Sequence, residues 1–294
     1  MYTYETSFER ASLWAIIWRI ALATLGVIIL GAVLLVAFMG EHITMIGLLT
    51  DGLIYFFLYK ITISQMRKQS LSVAALSSPY EKTVSPLIRV AGWTVLTAVV
   101  ASLFVYFFVS VLTFIPTLFD RIVPYVLELT GSEDLPVFYL VIVAVIFAPV
   151  VEEIVFRGYL LNKWVDKYGV NKGIIFSSVV FMAIHLQSLF IPQLLVGLVC
   201  GVIYVKYNNL IYPIIAHALY NLLVILPLFL APSVSIADAQ AEFLMLRDGL
   251  PTEYVVYSAL FILSLIFLIW LLRREWKSLR NSDSPYAQNI HSIE

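Results

Sequence analysis

Nearly unbroken apolar runs alternate with short polar or charged segments along the chain. A membrane-spanning helix needs about 20 apolar residues. Eight stretches reach or approach that length, at 18–39, 44–64, 88–114, 136–161, 173–190, 192–206, 210–231 and 254–272. The fifth to seventh are short or closely joined, so their boundaries are the least defined. None alternates with period two, as the ten-residue strands of a membrane barrel do. A helix satisfies its own backbone where no water reaches. The pattern predicts an all-α, polytopic transmembrane helix bundle with about eight spans. It divides into N-terminal helices and loops (1–135), core helices (136–231), and an outer loop, last span and polar tail (232–294).

Charge distribution orients these spans. With both termini in the cytoplasm, 16 of the 18 Lys and Arg residues fall on the cytoplasmic side, and only Arg121 and Arg247 lie outside. This is a strong positive-inside bias, and it supports an even number of spans. The longest outer segments, 115–135 and 232–253, read as acid-rich loops. The segment 65–87 reads as lying on the cytoplasmic face, and the tail 281–294 as disordered. The first apolar stretch, Ile20 to Met39, is too long for a secretory signal and reads as a retained span.

Composition agrees with this picture. The 294 residues are 61% hydrophobic and 13% charged, with a mean hydropathy of +0.94. Soluble domains carry about a quarter charged residues. The formal net charge of −1 comes with no basic face for nucleic acid. Cys200 is the single cysteine and reads as a small buried residue. Gly197 and Gly201 form a small-xxx-small step, suited to close packing against another helix of the chain.

Ionisable residues inside spans cost on the order of 2.5–3.5 kcal/mol each at a helix centre. The fourth span carries Glu152, Glu153 and Arg157. Glu153 and Arg157 are spaced i, i+4 and can pair, which leaves Glu152 without a partner from its own span. The fifth span ends in Phe181-x-x-x-His185, and the seventh holds His217-x-x-x-Asn221. Counted from the cytoplasmic helix ends at about 1.5 Å per residue, Glu152, His185 and His217 lie roughly 14, 18 and 11 Å deep. Three helices can thus bring Glu152, His185, His217 and Asn221 to one layer. Asp51 sits in the second span near its outer end, and Arg19 and Lys60 lie near helix ends where they can snorkel.

A carboxylate beside an imidazole can activate water, and a second imidazole with an amide can stabilise an oxyanion. Two imidazoles and a carboxylate can equally hold zinc with one position left for water. Both arrangements point to hydrolysis of an acyl bond in or near the membrane. The sequence holds no His-Glu-x-x-His motif and no Gly-x-Ser-x-Gly elbow within a span. The same residues also suit a noncatalytic binding or immunity protein, or an ion-coupled transporter. The transporter reading is weakened because the first half does not repeat the polar pattern.

The ordered series Glu152-Glu153-x-x-x-Arg157, Phe181-x-x-x-His185 and His217-x-x-x-Asn221 resembles the three motifs of the CAAX prenyl protease type 2 family. This family is also called CPBP or Abi. Phe156-Arg157-Gly158 and Ala216-His217-Ala218 resemble the usual surroundings, and the match covers 152–221. The resemblance implies an intramembrane endopeptidase acting on membrane-associated protein or peptide substrates. It implies Glu152 as base, His185 as its partner or a metal ligand, and His217 with Asn221 at the oxyanion or the metal. Glu153 and Arg157 would orient them. It leaves a zinc site of His185, His217 and Glu152 and a metal-free glutamate mechanism both open. Short loops without an added domain read as a prokaryotic plasma-membrane protein.

Overall fold

The computed structural model describes residues 5–40, 42–78, 84–130, 137–185, 190–230 and 236–291. The described residues are almost entirely helical. Their β pairing is one isolated antiparallel bridge between Ser77 and Asn209.

Helices α1 (Leu13–Ala37) and α2 (Ile43–Lys68) form an antiparallel pair. Ser12 caps α1 by accepting a hydrogen bond from Ala15 N at 3.3 Å. Arg67 and Lys68 occupy the last turn of α2, where cations favour the carbonyl end. Helix α3 (Val84–Leu112) packs along the last long helix, α10 (Thr252–Leu279). Between these pairs lies the core of the bundle. Helix α5 runs continuously over 137–168, with π-helical stretches at Val141–Phe147 and Ile154–Leu161. Helices α6 (Val170–Ile184), α7 (Phe190–Tyr207) and α8 (Ile211–Leu230) surround it. One apolar core draws on all of these segments and includes Phe8, Phe181 and Tyr286.

Close helix contacts depend on glycine. A Cβ on Gly173 would meet Val165 Cγ2 at 2.4 Å, where α6 folds back on α5. Gly169, at φ +82°, makes the turn between them. A Cβ on Gly197 would lie 2.9 Å from Ser178 Cβ, and one on Gly201 would lie 3.0 Å from Ile174 Cγ2. The small-xxx-small step thus seats α7 on α6 within the chain. Cys200 is buried beside it.

Five described helices are long and apolar enough to cross a membrane: α1, α2, α3, α7 and α10. Their outward faces are apolar, with Leu25, Ile28, Val33, Leu263 and Ile266 all exposed. The chain is therefore a multi-pass integral membrane protein. Helix α6 and the Ile211–Pro227 part of α8 are apolar but shorter.

Two expectations are corrected. The outer segments expected as loops contain helices α4 (Pro116–Thr130) and α9 (Ile236–Asp248). Phe119 and Phe243 stack at 5.2 Å, and a small second core gathers Val109, Leu112, Phe119, Val123, Leu246 and Tyr254. Both helices are short, and α4 is amphipathic, so a search for 20-residue apolar runs passes over them. Residues 131–135 and 232–235 of the two segments lie outside the described residues.

The tail expected to be disordered forms α11 (Pro285–Ile290) instead. Tyr286 and Ile290 are fully buried. Tyr286 Oη accepts from Ser72 N at 3.0 Å and donates to Glu5 O at 2.8 Å, and its backbone N donates to Asn162 Oδ1 at 3.1 Å. Asn289 Nδ2 donates to Ala75 O and Asn208 O. Two anchors and a buried isoleucine in six residues outweigh the low hydrophobicity of the tail. The N-terminal segment closes on the same end of α5. Phe8 N and Ser7 Oγ donate to Asp166, and Lys163 Nζ donates to Glu9 O. Burial, and then the neighbouring Lys167 charge, hold the Lys163 ammonium below its ordinary pKa.

Replacing Tyr286 with Ala should destabilise the fold by about 3–5 kcal/mol and free the tail. Limited proteolysis should then cut within 281–291, where the wild-type chain resists. Tyr286→Phe should cost only about 1–3 kcal/mol, through the unpaired Ser72 N–H.

Candidate active site

Glu152 and Glu153 sit on α5 between its two π-helical stretches, and Arg157 lies within the second. π-bulges recur at functional sites because an extra residue per turn re-aims side chains. Two asparagines bond carbonyls of these stretches. Asn162 Nδ2 donates to Arg157 O at 3.2 Å and Gly158 O at 2.9 Å, and Asn221 Nδ2 donates to Ala144 O at 2.6 Å.

Glu153 and Arg157 pair as their spacing predicts, with Nη1 2.7 Å from Oε1 and both side chains 0% exposed. The pair also reaches beyond α5. Arg157 Nη2 donates to Gly197 O on α7 at 3.0 Å, and its guanidinium lies 4.8 Å from the centre of the Phe181 ring on α6. On the α8 side, Glu153 Oε1 is 2.9 Å from His217 Nδ1. The carboxylate can only accept here, so Nδ1 carries the hydrogen. In a neutral ring the Nε2 lone pair then faces the other way, towards Glu152.

Glu152 has a different environment from its neighbour. Its Oε1 accepts from Tyr55 Oη of α2 at 3.2 Å. Its Oε2 is buried and has no hydrogen-bond partner among the described residues. Two imidazoles approach that oxygen, with His185 Nε2 at 3.8 Å and His217 Nε2 at 3.9 Å. His185 stands just past the end of α6 with Nδ1 2.7 Å from Phe181 O. A carbonyl accepts only, so Nδ1–H is again the donor. Phe181 packs edge-on against His217 at 5.5 Å and tilted against His185 at 4.6 Å.

The structure thus joins Glu152, His185 and His217 around one carboxylate oxygen, and ties Glu153 and Arg157 to them through His217. Asn221 lies one turn along α8 from His217, but its amide is directed at Ala144 O. Sequence reasoning missed Tyr55. The Asp51–Tyr55–Tyr59 stripe, spaced i, i+4 in an apolar run, was the available signal. Asp51 itself is paired, accepting from Tyr139 Oη at 2.5 Å.

The donor chemistry is that of a zinc site, but the spacing is not. Adjacent tetrahedral ligands at zinc stand about 3.3 Å apart, against 3.8 and 3.9 Å here. Among the described residues no three His, Cys, Asp or Glu side chains are grouped to hold a metal ion. Two groups sharing one water stand about 4.5 Å apart for tetrahedral bonds near 2.8 Å. The observed separations lie between these limits.

Residues 134–223 match a family model described as type II CAAX prenyl endopeptidase Rce1-like. No curated protein and no solved structure matches the chain.

Replacing Arg157 with Met should strand Glu153 as a buried, half-paired charge and destabilise the protein by about 3–5 kcal/mol. Thermal unfolding in detergent checks this. Tyr55→Phe should leave stability within about 1–2 kcal/mol of wild type.

Proposed function

We propose that this chain, whose residues 134–223 match that family model, is an intramembrane protease of the CPBP family and cleaves peptide bonds of membrane-associated substrates with water activated by Glu152. The observation that carries this reading is the unpartnered Glu152 Oε2 flanked by two imidazole Nε2 atoms. A buried polar atom without a partner is costly, and one aimed between two imidazoles suits a bound water.

In this reading Glu152 Oε2 takes a proton from the water as the water oxygen attacks the scissile carbonyl carbon. Tyr55, bonded to Oε1, holds the carboxylate in place. His185 aligns the water through Nε2, its ring fixed by Phe181 O. The developing oxyanion needs a donor. A proton on His217 Nε2 supplies one, and Glu153 behind Nδ1 stabilises the imidazolium. That proton also balances Glu152 and Glu153 against Arg157 and His217, so the cluster carries no net charge. Glu152 then returns its proton to the leaving amine nitrogen as the C–N bond breaks. Asn221 joins the oxyanion site by exchanging its bond to Ala144 O.

The finer features belong to the same reading. The chain crosses a prokaryotic plasma membrane about eight times, with both termini cytoplasmic and 136–231 as its catalytic core. The positive-inside bias supports that orientation, and the depth of Glu152 favours substrate entry from the cytoplasmic side.

Glu152→Gln should abolish cleavage of a membrane-peptide substrate by the reconstituted protein, a loss of at least about 10²-fold, with unchanged unfolding. Full turnover by this variant would end the proposal. Chelation should leave wild-type activity intact, with purified protein holding zinc well below one ion per chain. Loss on chelation that added zinc restores would instead assign His185, His217 and Glu152 to a metal.

A further inference from the structure

A second cavity lies between α1 and α2, away from the reaction centre. It measures about 780 Å³ and is lined by Arg19, Lys60, Arg67 and Lys68, with Tyr59 and Ser64 beside them. That volume falls in the range of small-molecule sites, roughly 300–1,000 Å³. No carboxylate among the described residues lines the cavity. None of the four cations forms an ion pair among the described residues. Arg19 Nη1 donates to the neutral Gln65 Oε1 at 2.6 Å. Four like charges around one space are therefore balanced by no anion of the described residues.

The height of the cavity narrows what can fill it. Arg19 comes six residues after Leu13 and Lys60 eight before Lys68, so the cations reach roughly 9–12 Å inward from the helix ends. Trp14 and Trp18 stand on the outer face of α1 at this level, 73% and 41% exposed. Tryptophan collects where headgroups meet acyl chains. The Arg19 guanidinium lies 5.3 Å from the Trp18 ring, and Lys60 Nζ lies 5.9 Å from the Phe56 ring. Isoleucines 61 and 63 give the cavity an apolar wall, and Ile17, Leu22 and Phe57 continue an exposed apolar surface on the same two helices. An amphiphile with an anionic head fits such a place, whereas a free anion gains nothing from the apolar walls.

We infer that this cavity binds the phosphate headgroup of an anionic phospholipid of the cytoplasmic leaflet, whose acyl chains lie along α1 and α2. Basic pockets between helices on that side of a membrane suit such headgroups. The site does not depend on the proteolytic reading.

The test uses the full chain purified in detergent, with native mass spectrometry following binding of phosphatidylglycerol against phosphatidylcholine. Wild type should prefer phosphatidylglycerol. The double variant Lys60→Gln/Arg67→Gln should bind it about 30-fold more weakly, the effect of removing two surface-level cations. Lys172→Gln/Arg280→Gln removes two charges elsewhere and should keep wild-type affinity. Ser64→Trp fills the cavity without changing its charge and should also lose phosphatidylglycerol. This covers the case in which the double variant unfolds in detergent. Equal binding by wild type and Ser64→Trp would overturn the site. So would an equal loss in the Lys172→Gln/Arg280→Gln control. Displacement of the lipid by millimolar inorganic phosphate would assign the cavity to free phosphate and overturn the lipid assignment.

Discussion

The buried contact between Glu153 and Arg157 is the interaction on which the centre of this bundle depends. Both side chains are fully removed from solvent, and the desolvation of two ions commonly exceeds their attraction. The pair persists because it is shared. Arg157 reaches the carbonyl of Gly197 and the ring of Phe181, and Glu153 reaches His217. Four helices therefore meet at one guanidinium–carboxylate contact. Arg157 Nε and Glu153 Oε2 still have no partner among the described residues, so the arrangement is not the most stable one available to this space. It fixes instead the rotation of α5 and α8, because any other register would bury an isolated charge.

That constraint explains why two adjacent, chemically identical residues differ so much. Glu153 faces the cation and spends one oxygen on two donors. Glu152, about 100° further round the helix, faces α2 and the two imidazoles, where Tyr55 satisfies one oxygen and leaves the other. Each carboxylate keeps one unpartnered oxygen, but only that of Glu152 is flanked by two imidazole Nε2 atoms. The division of labour comes from helical geometry rather than residue type.

Much of this was legible in the chain. The apolar runs located the long helices, the i, i+4 spacing foresaw the Glu153–Arg157 pair, and depth counting placed Glu152, His185 and His217 in one layer. Local rules of that kind cannot give the azimuth of one helix against another. The Glu153–His217 contact and the turning of Asn221 towards Ala144 therefore came only from packing. The π-helical stretches of α5 were equally hidden, since their apolar sequence reads as ordinary helix. The outer helices α4 and α9 and the tail helix escaped for a different reason. They are stabilised by a few specific contacts, Phe119 on Phe243 and Tyr286 at Asn162, and their hydrophobicity is too low to announce them.

The clasp at the end of α5 has a temporal side. Asn162 is bonded to Tyr286, and Tyr286 to Glu5, so residues near the two ends of the chain close over the helix that carries Glu152. Every span precedes Tyr286 in order of synthesis. The membrane-crossing helices can thus be inserted before the brace on α5 exists. Until Tyr286 is made, the helix that carries Glu152 and Glu153 lacks this contact at Asn162.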